Sequence, residues 1–378
     1  MDINNGIKKI LDAYESGNFL RVSQLGKSLF KDIPNHIRKI VEVSNFLTGS
    51  LLCGDVEDVI DYTSHFDVIL AKVLFLEGNF KSYRNTVYSV LRRSSDALSK
   101  LCSLKEIKMF DERGASDYLK SYNLKPSSER EEYLLNFLKN DYKLSIKIIS
   151  SILSKNSNYE IVLDLMDIWH YTGQYRELSE LCLQFYKEGR ISDYFLYLYG
   201  YSLFSSGRVH EAINILEKLM DKYPDNVNIS YNLSSSYYKI GNFARSLEIM
   251  ESAQRLNSSV EINFAKGVIL YRLGRYLESK NEFQKSSSVE DFRFSSKYNI
   301  SICEYKMGNY ESAIAKLVEL RNEKFVDRRN FEAINRTISV VKRSSMKISY
   351  YLLFIISVIF SFGIGFLIYF LITNFGLR

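Results

Sequence analysis

Apolar and polar positions alternate along most of this chain with the period of an α-helix, in segments of about a dozen residues. Between residues 159 and 322, pairs of such segments are joined by a short turn that contains glycine. The turn recurs every 33 or 34 residues, at Gly173, Gly207, Gly241, Gly274 and Gly308. A fixed period in this range predicts stacked helix–turn–helix units. We expect each glycine to take the left-handed conformation that ends the first helix of its unit.

Two columns of small residues keep the same register as the turns. Five residues after the turn glycine stand Ala212, Ser246, Ser279 and Ala313, with Leu178 as a larger exception. Seven residues before it stand Gly200, Ser234, Gly267 and Ser301, with Met166 as the exception. Small side chains at both places predict that the two helices of a unit approach closely.

These positions resemble the tetratricopeptide repeat (TPR) family. Residues 193–226 match best, with Gly200, Gly207, Ala212 and Pro224 at family positions, whereas Ser246 and Ser279 replace the usual alanine in later units. The resemblance covers five repeats, somewhat under half of the chain. It implies an all-α fold, a right-handed α-solenoid of TPR-like helix–turn–helix repeats whose concave groove binds peptides or partner helices.

The rest of the chain is divided around this array. Residues 1–125 repeat the turn phrase at Gly17 and Gly78 and predict a degenerate TPR-like helical domain. The TPR array then spans residues 126–322, with Asn140 expected to replace a turn glycine. Residues 323–348 predict a basic capping and juxtamembrane helix that covers the last repeat. Its apolar face is formed by Phe331, Ile334, Ile338 and Val341.

Residues 349–373 predict one C-terminal transmembrane helix. Tyr350–Thr373 contains no charged residue and is long enough for about 36 Å of helix, against a hydrocarbon core of about 30 Å. Basic residues before the segment outnumber those after it, so the positive-inside rule predicts a single-pass, tail-anchored protein with its repeats in the cytoplasm. Within the helix, Ser357, Ser361 and Gly365 form a stripe suited to packing against another membrane helix, including that of a second copy.

Aromatic residues dominate two further columns on the first helix of each unit. Ten residues before the turn glycine lie Leu163, Tyr197, Tyr231, Phe264 and Tyr298; three residues before it lie His170, Phe204, Tyr238, Tyr271 and Tyr305. Seven residues are nearly two helical turns, so the columns share a face, and in the TPR family that face lines the groove. We predict a partner-binding groove formed by Tyr197, Phe204, Tyr231, Tyr238, Phe264, Tyr271, Tyr298 and Tyr305. The alternative is that these rings pack between neighbouring repeats.

The composition points to few chemical activities. A net charge of +6 gives no nucleic-acid footprint, and four scattered histidines form no metal or catalytic pattern. Four distant cysteines are expected to be small buried hydrophobes. We expect no catalytic residues, metal or cofactor. Chaperone-binding TPR members hold a carboxylate with Lys, Asn and Arg, and here residues such as Tyr197 and Glu261 replace the basic members of that clamp.

The leading hypothesis is a non-enzymatic, membrane-anchored TPR scaffold or adaptor that binds a protein or peptide partner through a tyrosine-rich groove. The alternative is a structural subunit of a large envelope assembly, such as the collar of a bacterial flagellar motor. In that second case the outer surface of the repeats and the membrane helix would matter more than the groove.

Overall fold

The computed structural model describes residues 3–16, 18–50, 52–155, 158–189, 191–256, 259–323, 326–346 and residue 355. Within these residues the regular elements are α-helices, and no β-strand occurs. Two compact units divide the chain, Met1–Asn242 and Phe243–Arg378. The boundary between these units, after Asn242, lies inside the predicted array of residues 126–322.

The first unit is built from helices joined by short turns. They are α1 (Ile3–Glu15), α2 (Phe19–Leu29), α3 (Asn35–Thr48), α4 (His65–Leu76), α5 (Phe80–Arg93), α6 (Ala97–Phe110), α7 (Glu112–Ser121), α8 (Glu129–Leu138), α9 (Tyr142–Lys155), α10 (Tyr159–Thr172), α11 (Tyr175–Lys187), α12 (Asp193–Ser205), α13 (Val209–Lys222) and α14 (Val227–Lys239).

The second unit continues the same pattern of helix pairs. It contains α15 (Phe243–Leu256), α16 (Val260–Arg272), α17 (Tyr276–Ser286), α18 (Glu290–Lys306) and α19 (Tyr310–Arg321), followed by helical residues 328–346. From α15 to α19 each helix packs against the next in sequence, as in a repeat protein whose units contact mainly their neighbours.

The turns between paired helices share one backbone conformation. The five repeat glycines have φ between 77° and 89°, and the residue after Gly173, Gln174, has φ −81° and ψ 62°. Asn79, after Gly78 in the first 125 residues, has nearly the same angles, φ −82° and ψ 64°. Asn140 takes the left-handed position with φ 68°, as predicted. The degenerate N-terminal region therefore uses the same turn as the clear repeats.

The small-residue columns lie where paired helices meet. A Cβ built on Gly200 would stand 2.9 Å from Leu216, and one on Gly267 would stand 2.9 Å from the Phe283 ring. Ser279 is buried and donates a hydrogen bond to the Gly267 carbonyl at 2.7 Å. The predicted close approach of paired helices is confirmed at these positions.

Helical residues 328–346 cover the end of the last repeat. Ile334, Ile338 and Val341 are buried in a cluster with the α19 side chains Ala313, Leu317 and Leu320. The prediction for Phe331 was wrong, because this ring is 44% exposed. The guanidinium of Arg321 lies 5.9 Å from its centroid instead.

Helices far apart in sequence also meet within the first unit, which the sequence analysis did not foresee. Helix α3 packs against α10, and α4 packs against α12. The Asn226 side chain donates hydrogen bonds to the carbonyls of Phe75 and Leu76, at 2.7 and 2.9 Å. A Cβ on Gly78 would stand 2.6 Å from the Asp225 carbonyl oxygen. The end of α4 therefore packs closely against the loop that precedes α14 and is hydrogen-bonded to it.

None of the helices formed by the described residues is long and apolar enough to cross a membrane. The predicted membrane segment, Tyr350–Thr373, lies outside the described residues apart from Ile355. Ser357, Ser361 and Gly365 lie outside them as well.

We expect Gly78→Ala to lower the free energy of unfolding more than Gly207→Ala. Both changes place a Cβ at a residue with a left-handed backbone, with φ 80° at Gly78 and 89° at Gly207. This conformation costs a residue with a Cβ roughly 1–2 kcal/mol of folding free energy. At residue 78 the Cβ also meets the Asp225 carbonyl, whereas at residue 207 nothing lies within 4 Å. The overlap should cost roughly 1–3 kcal/mol more. Urea unfolding followed by circular dichroism measures both, and equal losses would contradict the contact between α4 and Asp225.

Candidate functional site

The aromatic columns of the first unit differ in exposure along their length. Leu163 is buried, and Tyr197 is only 7% exposed because its ring lies against Phe75, with the ring centroids 5.3 Å apart. Tyr231 of α14 is 42% exposed. Phe204 is half-buried, with the Lys239 ammonium 5.0 Å from its ring centroid. Among the column residues of this unit Tyr231 has the largest exposed fraction, and Tyr197 keeps little accessible surface.

The columns of the second unit are half-buried and contact neighbouring helices. The Tyr298 and Tyr305 hydroxyls are hydrogen-bonded to Thr337 and Ser344 at 2.8 and 3.1 Å. Both partners belong to helical residues 328–346. The Phe264 ring lies 5.3 Å from that of Phe283, while Tyr238 in the first unit and Tyr271 in the second are also half-buried. These rings fill space between helices and keep part of their surface outside.

A network of buried charged residues joins the helices of the first unit. The Lys105 ammonium of α6 lies 2.8 Å from Asp164 and 2.6 Å from Asp167, both on α10. It also lies 3.1 Å from Glu106. All four side chains are at most 3% exposed. A lone buried charge would be costly, and here each charge faces at least one of the opposite sign.

Lys72 extends this network to α4 and α12. Its ammonium lies 3.0 Å from Glu106 and 3.1 Å from Asp167, and donates to the Tyr194 hydroxyl at 3.1 Å. Tyr194 in turn donates to Asp167 at 2.9 Å. Four helices, α4, α6, α10 and α12, therefore meet through one lysine and its partners.

Arg130 of α8 carries the network toward the N-terminal helices. Its guanidinium lies 3.0 Å from Asp164 and also pairs with Glu160. Glu160 accepts a hydrogen bond from the Tyr14 hydroxyl of α1, and His65 Nε2 lies 3.4 Å from the same carboxylate. One carboxylate of α10 therefore connects α1, α4 and α8.

Ion pairing reverses the effect that burial has on the carboxyl pKa values. Burial alone would raise the pKa of Glu160, but the charge of Arg130 and hydrogen bonds from His65 and Tyr14 lower it to about 2. Burial would likewise raise the pKa of Asp164, and the charges of Lys105 and Arg130 lower it well below its usual range. Both carboxylates are ionised at neutral pH, although both are fully enclosed.

The sequence analysis missed this network, although the sequence contains a signal for it. Charged residues interrupt otherwise apolar helices, as Lys72 does in α4 and Asp164 and Asp167 do in α10. Charged side chains are rarely buried unless they are paired. Such interruptions in two helices therefore predict that the helices face each other, even when the residues lie far apart in sequence.

The described residues give no sign of metal or thiol chemistry. No group of His, Cys, Asp and Glu among them is arranged to hold a metal ion. Cys102, Cys182 and Cys303 are buried thiols and Cys53 is half-buried. Burial raises the pKa of Cys102 to about 12, so that this thiol is protonated at neutral pH.

We expect the free energy of unfolding to fall as the pH drops from about 4.5 toward 2. The folded pKa of Glu160, about 2, lies below its ordinary value of 4.5. The ionised form therefore stabilises the fold above pH 4.5, and this contribution, roughly 3 kcal/mol, is lost as the pH falls through the folded pKa. Glu160→Gln should lower stability near pH 7 and flatten this acid dependence.

Urea unfolding at a series of pH values measures this effect. The matched control is Glu180→Gln, which removes a carboxylate that is 64% exposed and pairs with Arg176 at 3.1 Å. The control should change stability by less than about 0.5 kcal/mol. An acid dependence that is the same for Glu160→Gln and the unchanged protein would show that folding does not lower the pKa of this carboxyl.

Comparison with known proteins finds a family match in part of the chain. Residues 203–259 match the tetratricopeptide repeat family. A curated relative, the tetratricopeptide repeat protein 30 homolog of Caenorhabditis briggsae, is 23% identical over 190 residues, which cover 50% of this chain and 28% of that protein. The matched part therefore spans less than a third of the length of the relative.

Two solved structures also align with most of the chain. Yeast Tom70 does so with a TM-score of 0.46 and 11% identity, covering 91% of this chain and 90% of its own. The APC/C hetero-tetramer Cut9–Hcn1 gives a TM-score of 0.42 and 13% identity, covering 91% of this chain and 78% of its own. The recurrent left-handed turns and the buried small-residue columns make this an all-α chain of TPR-like helix pairs, and residues 203–259 are the part that matches the tetratricopeptide repeat family.

Proposed function

We propose that this protein is a non-enzymatic, membrane-tethered TPR scaffold that binds a protein or peptide partner. TPR proteins are typically non-enzymatic scaffolds for protein–protein interaction, and the family match supports that coarse role. The membrane tether and the tyrosine-rich binding face are the specific parts of the proposal, and each has its own support.

The observation that carries the binding face is the exposure of Tyr231. This tyrosine lies on α14, inside the matched residues 203–259, and 42% of its surface is accessible. Phe204 and Tyr238, from the second aromatic column, are half-buried on α12 and α14. Tyrosine combines a large apolar ring, few rotors and a polar tip, which suits a protein-binding surface.

The support for the tether comes from the sequence and from the helix that precedes the apolar segment. Tyr350–Thr373 has the length and composition of a membrane-spanning helix. Helical residues 328–346 place the exposed Arg336, Lys342 and Arg343 just before it. Basic residues at this position favour a cytoplasmic location for the preceding domain, and tethering raises the local concentration of any partner that acts at the membrane.

Cysteine labelling in intact cells tests this topology. In a variant with Cys53, Cys102, Cys182 and Cys303 replaced, single cysteines are placed at the N-terminus or after Arg378 and treated with a membrane-impermeant thiol reagent. We expect the tail cysteine to react and the N-terminal one to react only after the membrane is permeabilised. A labelled N-terminus in intact cells would refute the cytoplasmic location and favour the envelope-assembly alternative.

Site-specific photo-crosslinking tests the binding face. With p-benzoylphenylalanine at position 231, we expect a discrete crosslinked protein species in living cells. The matched control is position 186, because Tyr186 is 37% exposed but lies on the second helix of its pair. Tyr231→Ala should weaken binding of the identified partner roughly tenfold, as truncating an interface tyrosine commonly does. Equal crosslinking from both positions would contradict a specific face at Tyr231.

A further inference from the structure

A small aromatic cleft lies inside the first unit, away from Tyr231. It has a volume of about 290 Å³ and is lined by Phe75, Phe80, Phe110, Met109, Tyr194 and Tyr197, among others. These residues come from α4, α5, α6 and α12, so the cleft exists because the distant helices of this unit meet. Its volume lies near the lower limit of drug-sized pockets, which suits a single large side chain.

Polar and charged side chains also line this cleft, namely Lys72, Arg84, Glu106, His170 and Asn228. His170 Nδ1 is buried and has no hydrogen-bond partner among the residues that the structure describes. Burial lowers the pKa of His170 to about 4, so the imidazole is neutral at physiological pH. A neutral imidazole nitrogen can accept or donate one hydrogen bond. Aromatic rings beside such polar groups favour an aromatic side chain with a polar edge, such as an indole.

A second cleft lies farther along α5. It has a volume of about 550 Å³ and is lined by Tyr62, Tyr88, Tyr118, Arg92, Arg93 and Asp111, among others. The guanidinium of Arg93 lies 5.1 Å from the Tyr62 ring centroid, and that of Arg92 lies 5.9 Å from Tyr88. Both arginines are exposed, and within the described ranges neither has a carboxylate at ion-pair distance.

The charge of the second cleft is positive. Asp111 is its acidic member, and this carboxylate caps α7 by accepting a hydrogen bond from the Gly114 amide at 2.8 Å. Arg92 and Arg93 therefore outnumber the one acidic residue that lines the cleft, and both are exposed beside aromatic rings. Arginine in this setting binds carboxylates or phosphates through paired N–H donors.

The ring of Phe110 stands between the two clefts. Its centroid is 6.0 Å from that of Tyr83 beside the first cleft and 6.1 Å from that of Tyr88 in the second. Arg84 lines the first cleft, and its guanidinium lies 5.1 Å from the Phe110 centroid. Arg84, Tyr88 and Arg92 are four residues apart on α5 and so follow one face of that helix.

We propose that these two clefts together bind one acidic peptide segment of a partner protein, an inference that rests on the proposed scaffold function. An aromatic side chain of the segment occupies the first cleft, and acidic side chains pair with Arg92 and Arg93 in the second. The Tyr83 and Tyr88 ring centroids, one from each cleft, both lie about 6 Å from that of Phe110, so they are at most about 12 Å apart. An extended chain advances about 3.3–3.6 Å per residue. A spacing of about four positions between the aromatic and acidic residues of the segment is therefore enough to reach both rings.

This site differs from a groove that clamps a C-terminal carboxylate. Its arginines lie on α5, and they would pair with acidic side chains inside a peptide rather than with its end. A nucleic acid would also be attracted by arginine and tyrosine. The volume of the first cleft, which suits one side chain, and the net charge of +6 for the whole chain favour a peptide.

Fluorescence anisotropy with defined peptides tests the proposal on the full chain in lipid nanodiscs. The probe is fluorescein-Gly-Trp-Gly-Ser-Gly-Glu-Glu-Gly-amide, whose amidated end excludes carboxylate capture. We expect saturable binding that weakens roughly tenfold or more when Lys-Lys replaces Glu-Glu. A similar loss is expected when Gly replaces Trp, because the first cleft then stays unfilled.

Two charge-reversal variants locate the site. Arg92→Glu combined with Arg93→Glu should abolish binding of the Glu-Glu peptide and improve binding of the Lys-Lys peptide. Lys143→Glu combined with Lys147→Glu is the matched control, since both lysines are exposed on α9 and line neither cleft. The control should leave binding unchanged, and circular dichroism melting should show that both variants fold.

Three outcomes would overturn the proposal. They are equal weakening by both variants, no saturable binding of the Glu-Glu peptide, and binding of a fluorescein-labelled oligouridine in place of the peptide. If the peptide fails while photo-crosslinking at position 231 still captures a partner, only this acidic site is refuted. If the crosslinking also fails, the scaffold function is refuted with it.

Discussion

The first unit depends on the pairing of a few charges that water cannot reach. Lys105 faces three carboxylates on two helices, and Lys72 joins four helices through two carboxylates and Tyr194. Replacing such a pair by apolar residues is often harmless, but removing one partner leaves a buried charge that costs several kcal/mol. We regard the network as a device for specificity, because it accepts one mutual arrangement of α4, α6, α10 and α12. A misplaced helix would leave a buried charge without an ion-pair partner.

The part of the fold that the sequence predicted is the part that local rules control. The turn glycines, the replacement of glycine by Asn140 and the close contacts at Gly200 and Gly267 follow from spacing along a single helix pair. The packing of α3 on α10 and α4 on α12 joins residues separated by roughly a hundred positions or more. The period of apolar residues within a helix does not show which distant helix it packs against. The charged residues within α4 and α10 were the sequence signal for these contacts.

The aromatic columns show why a repeat position does not determine the surroundings of a side chain. Tyr197, Tyr231 and Tyr298 occupy equivalent places in their repeats. Tyr197 is enclosed beside Phe75, Tyr231 is exposed, and Tyr298 is hydrogen-bonded to Thr337 of helical residues 328–346. Each outcome depends on what lies beside that repeat within its own unit. The spacing of the aromatic residues therefore predicts which helix face carries them. It does not predict which of these rings are accessible, because that depends on contacts with neighbouring helices.

The hydrogen bonds from Asn226 to the end of α4 have a consequence for synthesis on the ribosome. Asn226 and its acceptors Phe75 and Leu76 are about 150 residues apart. At roughly 5–20 residues per second, α4 leaves the ribosome many seconds before its partner is made. During that interval Lys72 is exposed without Tyr194, and the carbonyls at the end of α4 are bonded to water. The N-terminal helices therefore stay incompletely packed until the later repeats are synthesised. Truncated nascent chains of this protein are expected to bind chaperones.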